Sequence, residues 1–336
     1  MRYKNLKLWM SICLALVLVA LILLPAASCV PAEEEEEGFY TVCITQIVTH
    51  PDLDTHRECF IAEMADLGLG ANITYIIRNA EGDMATQNAI ASYFVSLKPD
   101  LIHSITTPSS QACVGAAEGT TIPIVFGTVT DPVTAGLVPS WNQSAPYVTG
   151  VSDWADVPTQ IAVIKEVLAE NLTDLGVIYN PGEVNSVVQV TELVDEIAPA
   201  LNITVHESPA ENTAAVYAAA MALVGQVDAI WIPTDNTATA AISSIVGVCN
   251  DNDIPFFGST KAMAESGCCC AVGVDYCWIG ARCAQFAAWI LTGEKTCGQI
   301  PPEKCEMQDP AVNLAAAAAQ NVTIPQSVLD RAIIVG

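Results

Sequence analysis

Basic residues are scarce in this chain of 336 residues: 12 Lys and Arg stand against 37 Asp and Glu, a formal net charge of −25 at pH 7. That balance excludes nucleic acid as a partner, because neutralising phosphates takes clustered Lys and Arg. Histidine is rarer still. His50, His56, His103 and His206 are scattered, and none is spaced to pair with a nucleophile. No G-x-S-x-G elbow, P-loop or H-E-x-x-H is present. Gly68-Leu69-Gly70 ends a helical pattern instead of following a strand, so it is no dinucleotide fingerprint. The chain is therefore not expected to be an enzyme or to carry a cofactor.

Cysteine is plentiful, with 13 in all. Eight fall between Cys249 and Cys305, including Cys268-Cys269-Cys270. Yet no C-x-x-C pair exists, no histidine lies near the cluster, and adjacent residues on a strand point to opposite faces. No metal is expected there. Buried thiols with one or two disulfides are the better expectation for an exported chain, and an odd number in the folded body leaves at least one thiol free.

The N-terminus carries the marks of export. Arg2, Lys4 and Lys7 precede an apolar run from Leu8 to Leu24, and Ala26-Ala27-Ser28 leads to Cys29. Residues 1–28 read as a lipoprotein signal with Cys29 as the lipid attachment point, although Ala26 stands where a leucine is usual; an uncleaved anchor helix is the alternative. Either way the body is tethered outside the membrane. Residues 29–38, with Glu33 to Glu37, read as an acidic spacer. Without the three early cations the balance is 9 basic to 37 acidic residues, a net of −28.

The folded body says the same thing twice. Asn72-Ile73-Thr74, Asp100-Leu101-Ile102 and Ile122-Pro123-Ile124-Val125-Phe126-Gly127 recur in order as Asn202-Ile203-Thr204, Asp228-Ala229-Ile230 and Ile254-Pro255-Phe256-Phe257-Gly258. The period is too long for a solenoid and describes two similar lobes. Short apolar strands alternate with helices in each, which gives parallel sheets covered on both faces. The fold class expected is α/β: two Rossmann-like lobes with parallel sheets, joined by a multi-strand hinge. The lobe limits expected are 39–150 plus about 275–300, and 151–272 plus about 301–336.

Ligands of parallel sheets lie outside the carboxyl ends of the strands. The loops there are polar: Thr106 to Ser110, Thr128 to Pro132, Gly150 to Asp153, Asn180 to Ser186, Thr234 to Thr237 and Gly273 to Tyr276. Asp131, Asp235 and Asp275 suit an ammonium group, and the helix starts at Ser109-Ser110 and Asn185-Ser186 suit a carboxylate. Together they describe a zwitterion site; each residue alone is better explained as a helix cap, and it is the recurrence in equivalent loops of both lobes that points to a site.

At these loops the chain resembles the ABC-transporter substrate-binding proteins of the tryptophan/tyrosine type. The resemblance rests on Val129-Thr130-Asp131-Pro132-Val133, Gly150-Val151-Ser152-Asp153, Tyr179 to Ser186, Pro233-Thr234-Asp235-Asn236 and Gly273-Val274-Asp275-Tyr276. It covers Tyr40 to Arg331 and implies a type I periplasmic-binding fold with a three-stranded hinge. It further implies a lipid-anchored receptor that traps a small ligand, an amino acid, by hinge closure and delivers it to an ABC permease. Carried over residue by residue, Thr107, Ser109, Asp131, Asn185, Ser186, Asp235, Asn236 and Asp275 should line the cleft. Asp235 would meet the ligand ammonium and the Asn185-Ser186 helix start its carboxylate. Trp154, Tyr179 and Tyr276 are candidates for stacking, and Trp231 for the core. The alternatives are the ligand-binding subunit of a membrane sensor, or a secreted cysteine-rich metal or redox protein.

Overall fold

The computed structural model describes residues 40–336; the expected signal segment, Cys29 and the glutamate run lie outside them. Among the described residues, no helix is long and apolar enough to cross a membrane.

Strands β1 (Tyr40–Gln46), β2 (Ile73–Asn79), β3 (Leu101–Ile105), β4 (Ile124–Gly127) and β5 (Val148–Ser152) form one sheet in the order β2-β1-β3-β4-β5. Strands β6 (Asp174–Tyr179), β7 (Thr204–Pro209), β8 (Ala229–Trp231), β9 (Phe256–Gly258) and β10 (Cys270–Ala271) form the other in the equivalent order, β7-β6-β8-β9-β10. All of these pairings are parallel. The sequence repeat is therefore a repeat of topology. Three short strands complete the edges: β11 (Glu303–Lys304) beside β5, then β12 (Ala311–Asn313) beside β10 and β13 (Ile333–Val335) beside β12. The β10–β12 pair is antiparallel.

The repeated aspartates have a structural job. Asp100 accepts the backbone N–H of Thr41 at 2.7 Å, and Asp228 accepts those of Thr173 and Asp174 at 2.7 and 2.9 Å. Each carboxylate thus holds the start of the neighbouring strand, β1 or β6. The repeated prolines do likewise through their carbonyls: Pro123 accepts from Ile102 N and Pro255 from Ile230 N, both at 2.9 Å. Register is set at the amino ends of the strands, so their carboxyl ends align along one edge of each sheet.

Helices α1 (Pro51–Asp66), α2 (Met84–Leu97) and α3 (Thr107–Ala116) cover the first sheet, joined by the later α9 (Tyr276–Leu291). Helices α4 (Val157–Leu168), α5 (Val184–Glu192), α6 (Val216–Leu223), α7 (Asn236–Ala240) and α8 (Ile242–Asp251) belong to the second half. The chain passes between the halves three times. After β5 it runs through Asp153, it comes back at Val274, and it leaves again beyond Lys304. The crossings are bonded side by side: Cys305 N donates to Ser152 O at 3.1 Å, Gln308 N to Gly273 O at 2.7 Å, and Val274 bridges Met307.

Helices α1 and α9 pack closely because Gly280 admits the backbone: a Cβ there would lie 2.2 Å from His56 O. A disulfide between Cys59 and Cys277, 218 residues apart in sequence, ties the same two helices. The other nine described cysteines are free and buried. Cys268 joins one core cluster and Cys269 and Cys270 another, which splits the triple cysteine between two apolar layers. Replacing Cys59 and Cys277 together by Ser is expected to lower stability by about 2–4 kcal/mol, the usual contribution of a bridge closing a long loop. A urea midpoint shift under 0.5 kcal/mol equivalents, on the order of a surface substitution, would contradict this.

Candidate functional site

The carboxyl ends of both sets of strands meet in one chamber. From the first half come His50 and Asp52 after β1, Thr106 after β3, and Thr128 and Thr130 after β4. From the second come Asn185, Thr234, Asp235, Asn236 and Thr260. Asp153 and Tyr276 come from the crossings. The chamber is shut, with free space of about 10 Å³, on the order of a single water. A wider groove of about 630 Å³ lies outside it, lined by Pro108 and the loop Asn180 to Glu183 and sharing Asn236.

Four acids are buried around this point, and neutral donors hold each of them. Asp52, in the first turn of α1, accepts from Thr260 Oγ1 at 2.8 Å, a bond between the two halves. Asp153 accepts from Tyr276 OH and Thr130 Oγ1, each at 3.0 Å. Asp235 caps α7, taking the N–H of Ala238 and of Asn180 at 2.6 Å each. Glu183 takes Thr237 Oγ1 at 2.7 Å, both nitrogens of Asn236 at 2.6 and 3.1 Å, and Asn185 Nδ2 at 3.1 Å. Burial raises the Asp52 carboxyl to about 7 against the lowering by Thr260, with Glu265 and Asp153 adding to the rise. Burial raises Asp153 to about 6 despite its two hydroxyl partners. Asp235 is pushed up by burial and then by the Glu183 charge. His50 goes the other way, to about 4, because burial disfavours its cation more than Asn236 and Asp54 favour it. The chamber is thus acidic and contains no lysine or arginine. Three buried polar atoms near it have no hydrogen-bond partner: His50 Nδ1, Thr107 Oγ1 and Asn185 Oδ1.

Of the residues expected from sequence, Asn185, Asp235 and Asn236 line the chamber. Thr107 and Ser109 lie in the first turn of α3, next to Thr106; the Ser109 hydroxyl donates to Gln87 Oε1 at 3.1 Å. Asp131 and Asp275 do not line it. Asp131 is consumed by its own turn, accepting from Val133 N at 2.9 Å and Thr134 Oγ1 at 2.7 Å. Asp275 is exposed and caps α9 through Cys277 N and Trp278 N. Ser186 turns back to the carbonyls of Asn180 and Glu183, both at 3.1 Å, and the nearby Glu183 carboxylate, which binds the start of α7, would repel a second. Tyr276 lines the chamber through its hydroxyl bond and Trp231 is fully buried in the core. Trp154 packs edge-on to Trp141 with Lys304 over both rings, at the crossings, and the Tyr179 hydroxyl donates to Glu207 at 2.6 Å. His50, Asp52 and Thr260 fall outside the loops singled out from the sequence, whereas Asp153 ends one of them. The only sequence signal of the first three is position, within a few residues of the carboxyl end of a strand, β1 for His50 and Asp52 and β9 for Thr260.

A parallel α/β pair with a polar chamber at facing strand ends is the architecture of a type I periplasmic-binding protein. The chain belongs to the family of ABC transporter substrate binding proteins, whose model matches residues 41–335. Proteins of this family are extracytoplasmic, bind small molecules and work with an ABC permease. Among its relatives is a tyrosine-binding protein of Clostridioides difficile (strain R20291), 39% identical over 260 residues, 77% of this chain and 74% of that one. Two solved structures are also similar. A Streptococcus pneumonia ABC domain in complex with L-Trp is 27% identical, covers 88% of this chain and 99% of its own, and has a TM-score of 0.84. The ligand-free, open structure of a Clostridium difficile substrate binding protein with adhesive properties is 31% identical, covers 88% and 100%, and has a TM-score of 0.65.

The shifted carboxyls set a pH dependence. An unfolded aspartate titrates near 4, whereas Asp52 in the folded chain titrates at about 7. Its contribution to stability is therefore full below about pH 4 and is lost as pH rises through about 7. The depressed His50 has the opposite trend, so the comparison must be between variants. Asp52→Asn, which keeps an acceptor for Thr260, is expected to gain in melting temperature over the unaltered protein steadily from pH 4 to pH 8. A difference that does not change with pH would contradict the assignment.

Proposed function

We propose that the protein is an amino-acid receptor of an ABC importer, with an aromatic amino acid as the preferred ligand, held in the chamber by closure of the two lobes. The observation that carries this is the chemistry of the chamber: an acidic, cation-free space bordered by the uncapped first turn of a helix. The ligand ammonium is assigned to Asp52 and Asp235, with Asn236 beside them. The carboxylate is assigned to the N-terminal turn of α3 at Thr107 and Ser109, where free N–H groups and the positive end of the dipole converge. Asn185, with a free buried Oδ1, supplies an acceptor from the opposite lobe. The tyrosine- and tryptophan-binding relatives support the aromatic choice.

The shape also supports closure. The chain resembles the tryptophan complex more than the open, ligand-free structure, although the latter is nearer in sequence. We read the present arrangement as closed and empty, since about 10 Å³ cannot hold an amino acid; the Asp52–Thr260 bond is the latch of this empty state, which a ligand would displace, and the three crossings are the hinge. Residues 40–152 with 275–304, and 154–272 with 308–336, would then move as two bodies. Cys29 is proposed to carry the lipid that holds the receptor at the membrane.

Thermal shift and calorimetry on the full chain with L-Tyr, L-Trp, the other amino acids and common sugars test this. An aromatic amino acid at a hundredfold excess over its Kd is expected to add about 2.7 kcal/mol of stability. Because the ammonium needs an ionised partner, and Asp52 titrates at about 7, affinity should rise about tenfold between pH 6 and pH 8. Asp235→Asn and Asn185→Ala should each weaken binding tenfold or more, about 1.4 kcal/mol. Stabilisation by sugars alone, with no amino acid active, would sink the reading.

A further inference from the structure

The core of the first lobe holds a polar cluster that the ligand chamber does not use. His56 on α1, His103 on β3 and Cys283 on α9 are each fully buried. Their nearest ligating atoms all lie within 4.8 Å of one another. We propose that His56, His103 and Cys283 form a binding site for one zinc-class ion, which joins α1, β3 and α9 inside the lobe.

Hydrogen bonding shows how the donors are aimed. His103 Nδ1 lies 2.8 Å from Val125 O, and a carbonyl can only accept, so Nδ1 carries the proton and Nε2 presents its lone pair. A backbone carbonyl bonded to the far nitrogen is the arrangement that orients histidine ligands of metals. That lone pair points at His56 Nε2, 2.9 Å away. Phe60 stacks on the His103 ring at 4.1 Å and holds its plane. Cys283 Sγ has only a weak contact, 3.4 Å to Phe126 O.

Gly127, at the end of β4, keeps the meeting point clear. A Cβ there would fall 2.3 Å from His56 Cε1, 2.6 Å from His56 Nε2 and 3.1 Å from Cys283 Sγ. Two imidazoles and a thiolate are borderline-soft donors, suited to zinc and its neighbours and not to magnesium or calcium. Nitrogens each about 2.1 Å from an ion at a tetrahedral angle stand about 3.4 Å apart. The rings must therefore separate by about 0.5 Å on loading. Binding is proton-balanced without redox chemistry. The Cys283 S–H bond breaks, its proton leaves to solvent, and the sulfur–metal bond forms. The His56 proton moves from Nε2 to Nδ1, where Nδ1 is now without a partner.

The full chain, purified in detergent, unfolded with chelator and refolded anaerobically with Zn2+ or Co2+, tests the site by metal content and absorbance. The unaltered chain should retain about one ion, and cobalt should give a thiolate charge-transfer band. Cys283→Ala and His103→Gln should each cut the metal retained at least tenfold, whereas Cys269→Ala should keep both the metal and the band. Circular dichroism checks that each variant folds, and Cys283→Ser serves if Cys283→Ala does not. Three results would overturn the proposal: no metal retained by the unaltered chain, metal retained by folded Cys283→Ala, or metal lost on Cys269→Ala.

Discussion

Burying acid without base is the constraint on which this molecule turns. With so few lysines and arginines, the interior acids have no cations to pair with, and an isolated buried carboxylate is costly. Each is met by neutral donors. Asp235 takes the N–H groups of Ala238 and Asn180, and Asp52, Asp153 and Glu183 take hydroxyls and amides; nearer the surface, Asp100 and Asp228 likewise take backbone N–H groups at strand starts. The cations sit at the surface, as in Arg331–Glu166 and Lys261–Glu265, where an ion pair contributes little. The same kind of bond therefore sets the register of both sheets and shapes the chamber at their facing ends.

That rule explains what could be read from the sequence. The repeat was legible because the pieces that fix a parallel sheet are local: an Asp before a strand, an Ile-Pro before the next, a Gly at its end. The equivalent strand orders of the two sheets follow from them. Strand β5 is hard to see in sequence because Val148-Thr149-Gly150-Val151-Ser152 contains a glycine, which is there for backbone approach: a Cβ at Gly150 would lie 2.0 Å from Phe126 O. Strands β11 to β13 are two or three residues long, too short for any periodicity, and exist only because a neighbour offers an edge.

The site was legible in part for a related reason. A carboxylate at the start of a helix looks the same in sequence whether it caps the helix or faces a cleft. Asp131 and Asp275 spend their oxygens on their own turns. Asp235 does both, since its cap lies at the chamber wall. Asp52 faces the cleft without capping anything: it sits at the second position of α1 and is free to reach across to Thr260. Nothing local distinguishes these cases. The difference is made by residues about 200 positions away, brought close by the crossings. The His56–His103–Cys283 cluster is hidden in the same way, on three elements that only the fold assembles.

The two lobes obey one plan and are stiffened differently. The first has its covering helices bridged by Cys59–Cys277 and a stacked histidine pair beneath them. The second relies on apolar packing, with thiols as small core residues. At the crossings, Lys304 lies 4.1 Å and 4.5 Å from the rings of Trp141 and Trp154, contacts that can shear without losing a directional bond. A chamber that satisfies its own acids when shut pays little to close empty, so closure alone cannot select a ligand. On the proposed assignment, selection comes from the incoming molecule replacing the Thr260 bond to Asp52 with a stronger one. A ligand can shift the equilibrium only by its differential affinity for the closed state. An ammonium group meets that requirement, because it adds the positive charge that the chamber otherwise lacks; a neutral hydroxyl would merely exchange like for like.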